Sequence, residues 1–243
     1  MSRRDDLAGA LATLRARLTD AAEAAGRDPA DIELLPVTKF FPASDVALLA
    51  DLGCRAFGES RDQEAAAKVA ELAGRIPAEV RWHMIGKIQS NKARHIASWA
   101  DVVHSVSSLK VITALGRGAQ AALDEGARTE PVQIYLQLSL DGDESRGGVD
   151  IAAPDRIDAL RDAVTATPGL EFVGFMAIPP LAADPDAAFA SLAAERDRVQ
   201  PFHQRRLGLS AGMSGDLEVA VKHGSTCVRV GTALLGSRPL TSP

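Results

Sequence analysis

An alternation repeated eight times constrains this chain more than any single residue does. A short apolar run gives way to a turn, and the turn leads into a segment with helical periodicity. The apolar runs fall at residues 32–37, 55–58, 80–85, 101–106, 132–140, 170–178, 206–210 and 226–230. Each is short, apolar and bounded by turn residues, so each is expected to be a strand. Helices are expected over 44–52, with Ser44 as its cap, 59–73, 90–99, 108–123, from Pro154 onward, 185–199 and up to Lys222. A polar, glycine-rich loop is expected over 141–148. The strands recur every 25–35 residues or so, the length of a βα unit. Strict alternation requires parallel strands joined by helical crossovers. Eight such units within 243 residues point to an α/β fold of the (β/α)8 TIM-barrel class rather than an open doubly wound sheet. One helix precedes the first strand: Leu7, Leu11, Leu14, Leu18, Ala21, Ala22 and Ala25 recur at steps of three and four over residues 4–25. Gly26 and Pro29 supply its stop. No linker or low-complexity segment interrupts the pattern, so residues 1–243 are expected to form a single domain.

The bulk composition narrows the function classes. A net charge of −5 argues against a broad basic surface for nucleic acid, and 4% aromatic residues leave little for stacking on bases. No apolar window is long enough for a membrane span, and the start of the chain is amphipathic rather than a signal-peptide core. The cytoplasm is the expected location. Cys54 and Cys227 have no metal or redox spacing and read as small buried hydrophobes. His83, His95, His104, His203 and His223 show no metal-ligand spacing either. Of these, His83 and His104 end strands; lining the site is one reading, and packing or surface roles are the simpler one.

In a barrel of this class the chemistry lies at the C-terminal ends of the strands. Lys39 stands there, where the first strand ends before Phe40, Phe41 and Pro42. An amine partly desolvated at such a place favours its neutral, nucleophilic form; the plain alternative is a lysine reaching out to water. After the seventh strand, Ser210 leads into Gly212-Met213-Ser214 and a helix N-terminus, where free N–H groups suit an anion. After the eighth come Gly231 and Thr232, and loops seven and eight are the usual phosphate cradle of this fold. Each turn alone could be ordinary punctuation. Arg229 lies within the eighth strand, two residues before Gly231, and alternation points it into the barrel mouth. Lys87, Lys92 and Arg94 form a small basic cluster around a helix start, which reads as a solvated face or as a rim that meets an anion. A lysine amine opposite an anion cradle, with an arginine near both, matches what pyridoxal 5′-phosphate requires: an amine for its aldehyde, a phosphate site and a side chain at the ring nitrogen.

The motifs resemble those of the pyridoxal phosphate homeostasis family, single-domain relatives of the barrel of alanine racemase. The resemblance covers nearly the whole chain. It rests on Leu35-Pro36-Val37-Thr38-Lys39, Phe57-Gly58-Glu59-Ser60, the run from Trp82 to Lys92, Gly174-Phe175-Met176-Ala177-Ile178-Pro179, the run from Leu209 to Asp216, and that from Val228 to Gly236. It implies that Lys39 forms the internal aldimine, that Ser210, Ser214, Gly231 and Thr232 surround the phosphate, and that Arg229 faces the pyridine nitrogen. Three positions depart from the family pattern. Ser60 stands where asparagine is usual, Phe41 where a second lysine is frequent, and Arg146 where lysine is common.

The function this implies is holding and buffering pyridoxal phosphate as part of vitamin B6 homeostasis, without turnover of its own. Its expected partners are the cofactor itself and pyridoxal phosphate-dependent apoenzymes, and the chain is expected to be a monomer. The rival is an amino-acid racemase. That reading suffers because the sole tyrosine, Tyr135, lies inside a strand, and because racemases of this kind take a catalytic tyrosine from a second, β-rich domain. A Schiff-base aldolase barrel shares the lysine but gives no reason for Arg229.

Overall fold

In the computed structural model, which describes residues 2–180 and 182–237, all eight expected strands form and run parallel. In chain order they are β1 (Glu33–Pro36), β2 (Ala56–Glu59), β3 (Arg81–Met84), β4 (Val102–Val106) and β5 (Val132–Ser139). After a two-residue β6 (Val149–Asp150) come β7 (Leu170–Ala177), β8 (Gly208–Ser210) and β9 (Cys227–Val230). Neighbours in the sheet follow the order β1-β9-β8-β7-β5-β4-β3-β2. A bridge between Val37 and Gly58 brings the two ends together, so the sheet closes on itself. This is the (β/α)8 barrel with an added N-terminal helix.

The additions are local. β6, unanticipated, follows directly on the glycine-rich loop and pairs with the far end of β5. Arg146 in that loop bonds the carboxylates of Asp141 and Asp143, so the loop holds itself together. Helix α2 (Ala43–Asp51) starts at Pro42 rather than at a Ser44 cap: Pro42 has the extended backbone of a cap residue and no side chain caps the helix. Asp45 N–H donates to Pro42 O at 3.0 Å, so the main chain meets one donor of the first turn without a hydroxyl. Helix α4 (Ala93–Trp99) begins later than expected because residues 90–92 form a turn.

Successive residues of a strand enter different apolar clusters. Phe57 and Val228 belong to the large core between sheet and helices, whereas their neighbours Ala56 and Cys227 join Leu35 in a small cluster flanked by Ile85. Period-two alternation therefore assigns the small cluster to the barrel lumen. Polar side chains share the lumen with it.

Helix α1 (Arg3–Ala24) is capped by Ser2, whose hydroxyl accepts from Asp5 N–H while the Asp5 carboxylate accepts from Ser2 N–H. Its buried stripe, Leu7, Leu11, Leu14 and Leu18, packs on α8 (Leu217–Lys222), α9 (Thr232–Leu235) and α2. Two arginines extend that support to the mouth of the barrel. Arg3 pairs with Asp45 and donates to Leu235 O at 3.1 Å. Arg17 pairs with Glu218 and donates to Ser214 O at 3.1 Å. The added helix thus braces the two elements that follow β8 and β9.

Candidate functional site

Lys39 follows directly on the closure of the barrel. Val37 N–H donates to Val230 O at 2.7 Å on one side, and Thr38 N–H donates to Gly58 O at 3.0 Å on the other. Two residues further, Lys39 leaves the barrel wall at the C-terminal rim between β9 and β2, with its side chain half-buried. The next residue, Phe40, has φ +70°, a left-handed conformation that a bulky aromatic seldom adopts. Lys39 Nζ lies 5.9 Å from the centre of the Phe40 ring, and Arg61 caps the same ring at 4.8 Å.

A buried charged group lies behind this turn. Lys68, on α3 (Asp62–Leu72), donates to Thr38 O, Glu59 Oε1 and Glu64 Oε1, each at 2.8 Å. Glu59 Oε1 also accepts from Thr38 Oγ1 at 2.6 Å, and Glu64 Oε1 from Phe40 N–H at 2.6 Å. Burial pushes the Glu59 carboxyl above the ordinary range, opposed by the Lys68 ammonium. Glu59, expected to open a helix, is instead the last residue of β2 and is fully buried.

On β9, the strand paired with β1, Arg229 is 5% exposed. Its Nη1 donates to Ser210 Oγ at 2.6 Å and its Nη2 to Ala177 O, the last residue of β7, at 3.1 Å. The guanidinium therefore sits at the C-terminal end of the strands. Burial lowers its proton affinity from the ordinary arginine value. Ser210 Oγ also contacts His104 Nδ1 at 2.7 Å, and His104 Nε2 contacts His83 Nδ1 at 3.0 Å. Tyr135 stacks on His104 with ring centres 4.7 Å apart. Burial drives both histidines toward the neutral form, His83 to about 3 and His104 well below its ordinary value, the latter helped by its cationic neighbours. A file of four polar side chains thus runs down the lumen from Arg229. The sequence reading favoured packing or surface roles for these histidines and did not join them to Ser210, because two strand-end histidines twenty-one residues apart carry no spacing signal.

The glycine turns lie beside Arg229. Arg229 N–H donates to Gly212 O at 3.0 Å, which ties the turn after β8 to β9. Gly212 has φ +89°, and a Cβ there would come within 2.5 Å of the Ala220 methyl, so the tight turn onto α8 requires glycine. Met213 N–H is taken by Asp216 Oδ1, and the N–H groups of Leu234 and Leu235 by Gly231 O. Among the described residues, the N–H groups of Ser214, Thr232 and Ala233 donate to no protein acceptor. A Cβ on Gly231 would meet nothing nearer than Val37 at 3.8 Å, so the space over it is open. Barrel closure therefore gathers Lys39, Arg229, Gly231 and Thr232 around the β1–β9 edge, with 212–214 in the turn after the neighbouring strand β8. Ser210 is set apart: its hydroxyl is fully buried and engaged with Arg229 and His104.

Beside Lys39 opens a cleft of about 1030 Å³ lined by Phe40, Phe41, Ser60, Lys87 and Lys92. Two of the departures from the family pattern, Phe41 and Ser60, thus line the same cleft. Among the described residues there is no cluster of three or more metal-ligating side chains, and no helix is long and apolar enough to cross a membrane.

Residues 10–239 match the family model for the alanine racemase N-terminal domain. The pyridoxal phosphate homeostasis protein of Mycobacterium tuberculosis H37Rv is 57% identical over 248 residues, covering 99% of this chain and 96% of that one. The protein of the same name from Escherichia coli K12 is 34% identical, with 96% and 97% covered. Among solved structures, PipY of Synechococcus elongatus PCC7942 with PLP bound superposes with a TM-score of 0.78 at 34% identity, covering 95% of this chain and all of that one. An alanine racemase from Streptomyces coelicolor, at 18% identity and a TM-score of 0.70, shares the fold across 58% of its length.

Proposed function

Because the chain belongs to the pyridoxal phosphate homeostasis family, we propose that it binds pyridoxal 5′-phosphate at the rim of its barrel, with residues 1–243 acting as one binding domain. Its task on this reading is to hold the cofactor within the vitamin B6 economy of the cell, in the cytoplasm, and to release it to apoenzymes that need it. The observation that carries the reading is Arg229. A guanidinium buried at the mouth of the barrel has a serine hydroxyl and a main-chain carbonyl as partners, and no carboxylate pairs with it among the described residues.

When bound, pyridoxal phosphate supplies an aldehyde whose carbon an amine can attack with loss of water. Lys39 presents that amine from the β1 rim. Ser214, Thr232 and Ala233 offer their N–H groups to the phosphate, and the openness over Gly231 leaves room for it. Ser210 holds Arg229 in place from below. Arg229 has five N–H donors and no acceptor, so it favours a ring nitrogen opposite it that carries no proton. That arrangement withholds the positive ring that strong amino-acid chemistry draws on. The proposed absence of turnover has a second support. Tyr135 is buried against His104, and burial raises its hydroxyl well above its ordinary value, so it serves as no base at the mouth.

The test is direct. Purified protein loaded with pyridoxal phosphate is expected to be yellow, and borohydride to fix the cofactor on the peptide containing Lys39. Lys39→Ala is expected to lose the colour. Protein that stays colourless with added cofactor refutes the reading; steady racemisation of an amino acid, lost in Lys39→Ala, refutes the absence of turnover.

A further inference from the structure

We infer that Lys68, with Glu64 and Glu59, is a positioning clamp that fixes the backbone on both sides of Lys39 and so sets how firmly the site grips its aldehyde. The inference rests on the reading of Lys39 as the cofactor-binding amine. The geometry is specific to that residue. The Thr38 carbonyl belongs to the peptide that enters Lys39, and the Phe40 N–H to the peptide that leaves it. Lys68 Nζ donates to the first at 2.8 Å, and Glu64 Oε1 accepts from the second at 2.6 Å. Fixing both peptide planes fixes φ and ψ of Lys39, and with them the direction of its Cα–Cβ bond.

The wiring leaves the clamp little slack. An ammonium has three protons, and Lys68 spends all three, on Thr38 O, Glu59 Oε1 and Glu64 Oε1. Glu59 Oε1 adds a third tie to the same turn through Thr38 Oγ1. Lys68 is 6% exposed and Glu59 fully buried. Charges are expensive to bury, and a hydrophobic trio of the same volume commonly stabilises a fold as well or better. The expense is met at one place, the turn that carries Lys39. That turn also holds Phe40 in the left-handed region, a conformation that persists only where its surroundings over-determine it. Lys68 and Glu64 stand one helical turn apart on α3, so the clamp has a rigid base.

The probe is pyridoxal phosphate itself, and the readouts are its affinity, the pH titration of the visible band of the loaded protein, and the lysine that borohydride labels. Lys68→Met keeps an unbranched side chain one atom shorter and removes its charge. It is expected to bind the cofactor about tenfold more weakly, to shift the midpoint of the band's titration, and to spread borohydride labelling from Lys39 to other lysines. Glu64→Gln is the second variant. Its amide oxygen still accepts from Phe40 N–H while the ion pair to Lys68 is gone, so a smaller change in the same direction is expected. This variant decides the matter if Lys68→Met does not fold. Wild-type affinity, band titration and labelling in whichever variants fold overturn the inference. Wild-type protein that takes no cofactor on Lys39 overturns instead the reading on which it rests.

Discussion

Replacing Arg229 with methionine separates what this residue does for folding from what it does for binding. In the protein alone the guanidinium is buried, and the penalty for taking such an ion out of water is several kcal/mol. Against that stand its two hydrogen bonds, to Ser210 Oγ at 2.6 Å and Ala177 O at 3.1 Å. Bonds from a charged donor return about 1.5–3 kcal/mol each, so the two sides nearly cancel. Methionine removes both and leaves Ala177 O short of a donor, while Ser210 keeps His104. The ligand-free protein is therefore expected to change in stability by less than about 2 kcal/mol in either direction, below the 2–5 kcal/mol range typical of emptying a core site. Binding is expected to lose one charged hydrogen bond, about tenfold to a hundredfold in affinity. The assay is urea unfolding with and without pyridoxal phosphate. At a concentration about a hundred times the wild-type Kd the ligand adds roughly 2.7 kcal/mol to the wild type; a variant that binds about tenfold more weakly gains roughly 1.4 kcal/mol. A variant that loses more than about 3 kcal/mol without ligand and keeps the full wild-type increment would show that Arg229 serves the fold and not the ligand.

Three further outcomes are expected. The unfolded chain protonates its histidines near 6.5, whereas His83 in the fold resists until about 3; stability is thus complete above 6.5 and falls as pH drops through that window. The slope is about 1.4 kcal/mol per pH unit for each such histidine, and urea unfolding of His83→Asn between pH 7 and pH 5 should show a shallower loss than wild type, equal slopes being the contrary result. Gly212→Ala places a methyl 2.5 Å from Ala220 in a left-handed turn, so a loss of about 1–3 kcal/mol and weaker cofactor binding should appear together in the same titration. Leu11→Ala empties a buried site on α1 and should cost about 2–5 kcal/mol; because α1 braces the loops after β8 and β9, its thermal midpoint should recover in part when pyridoxal phosphate is added.

The barrel was legible because each of its parts is a local pattern. Period-two and period-3.6 alternation in runs such as 132–140 and 4–25 record which face is buried, and the turns between them carry glycine or proline. Lys39, Arg229, Gly231 and Thr232 were legible for a related reason: in a parallel barrel the end of every strand lies on one rim, so position along the chain predicts position in space. Helix starts were less so. Pro42 opens α2 without a hydroxyl cap, and a sequence offers Ser44 just as readily.

What tertiary structure alone decided is which polar side chains meet. Ser210, His104 and His83 come from three strands, and only closure of the sheet turns them toward one lumen, where Ser210 becomes a partner of Arg229 rather than part of the rim. Lys68 and Glu64 look in sequence like an ordinary i,i+4 pair on a solvated helix face. Lys68 is buried and Glu64 half-buried because α3 lies against the turn that ends β1, a contact between segments some thirty residues apart. Periodicity reports on a residue's own element, and hydrogen bonds between elements leave no trace in it. The sequence by itself therefore determined the barrel and the place of Lys39 on its rim; the closed fold decided what holds Lys39 and Arg229 there.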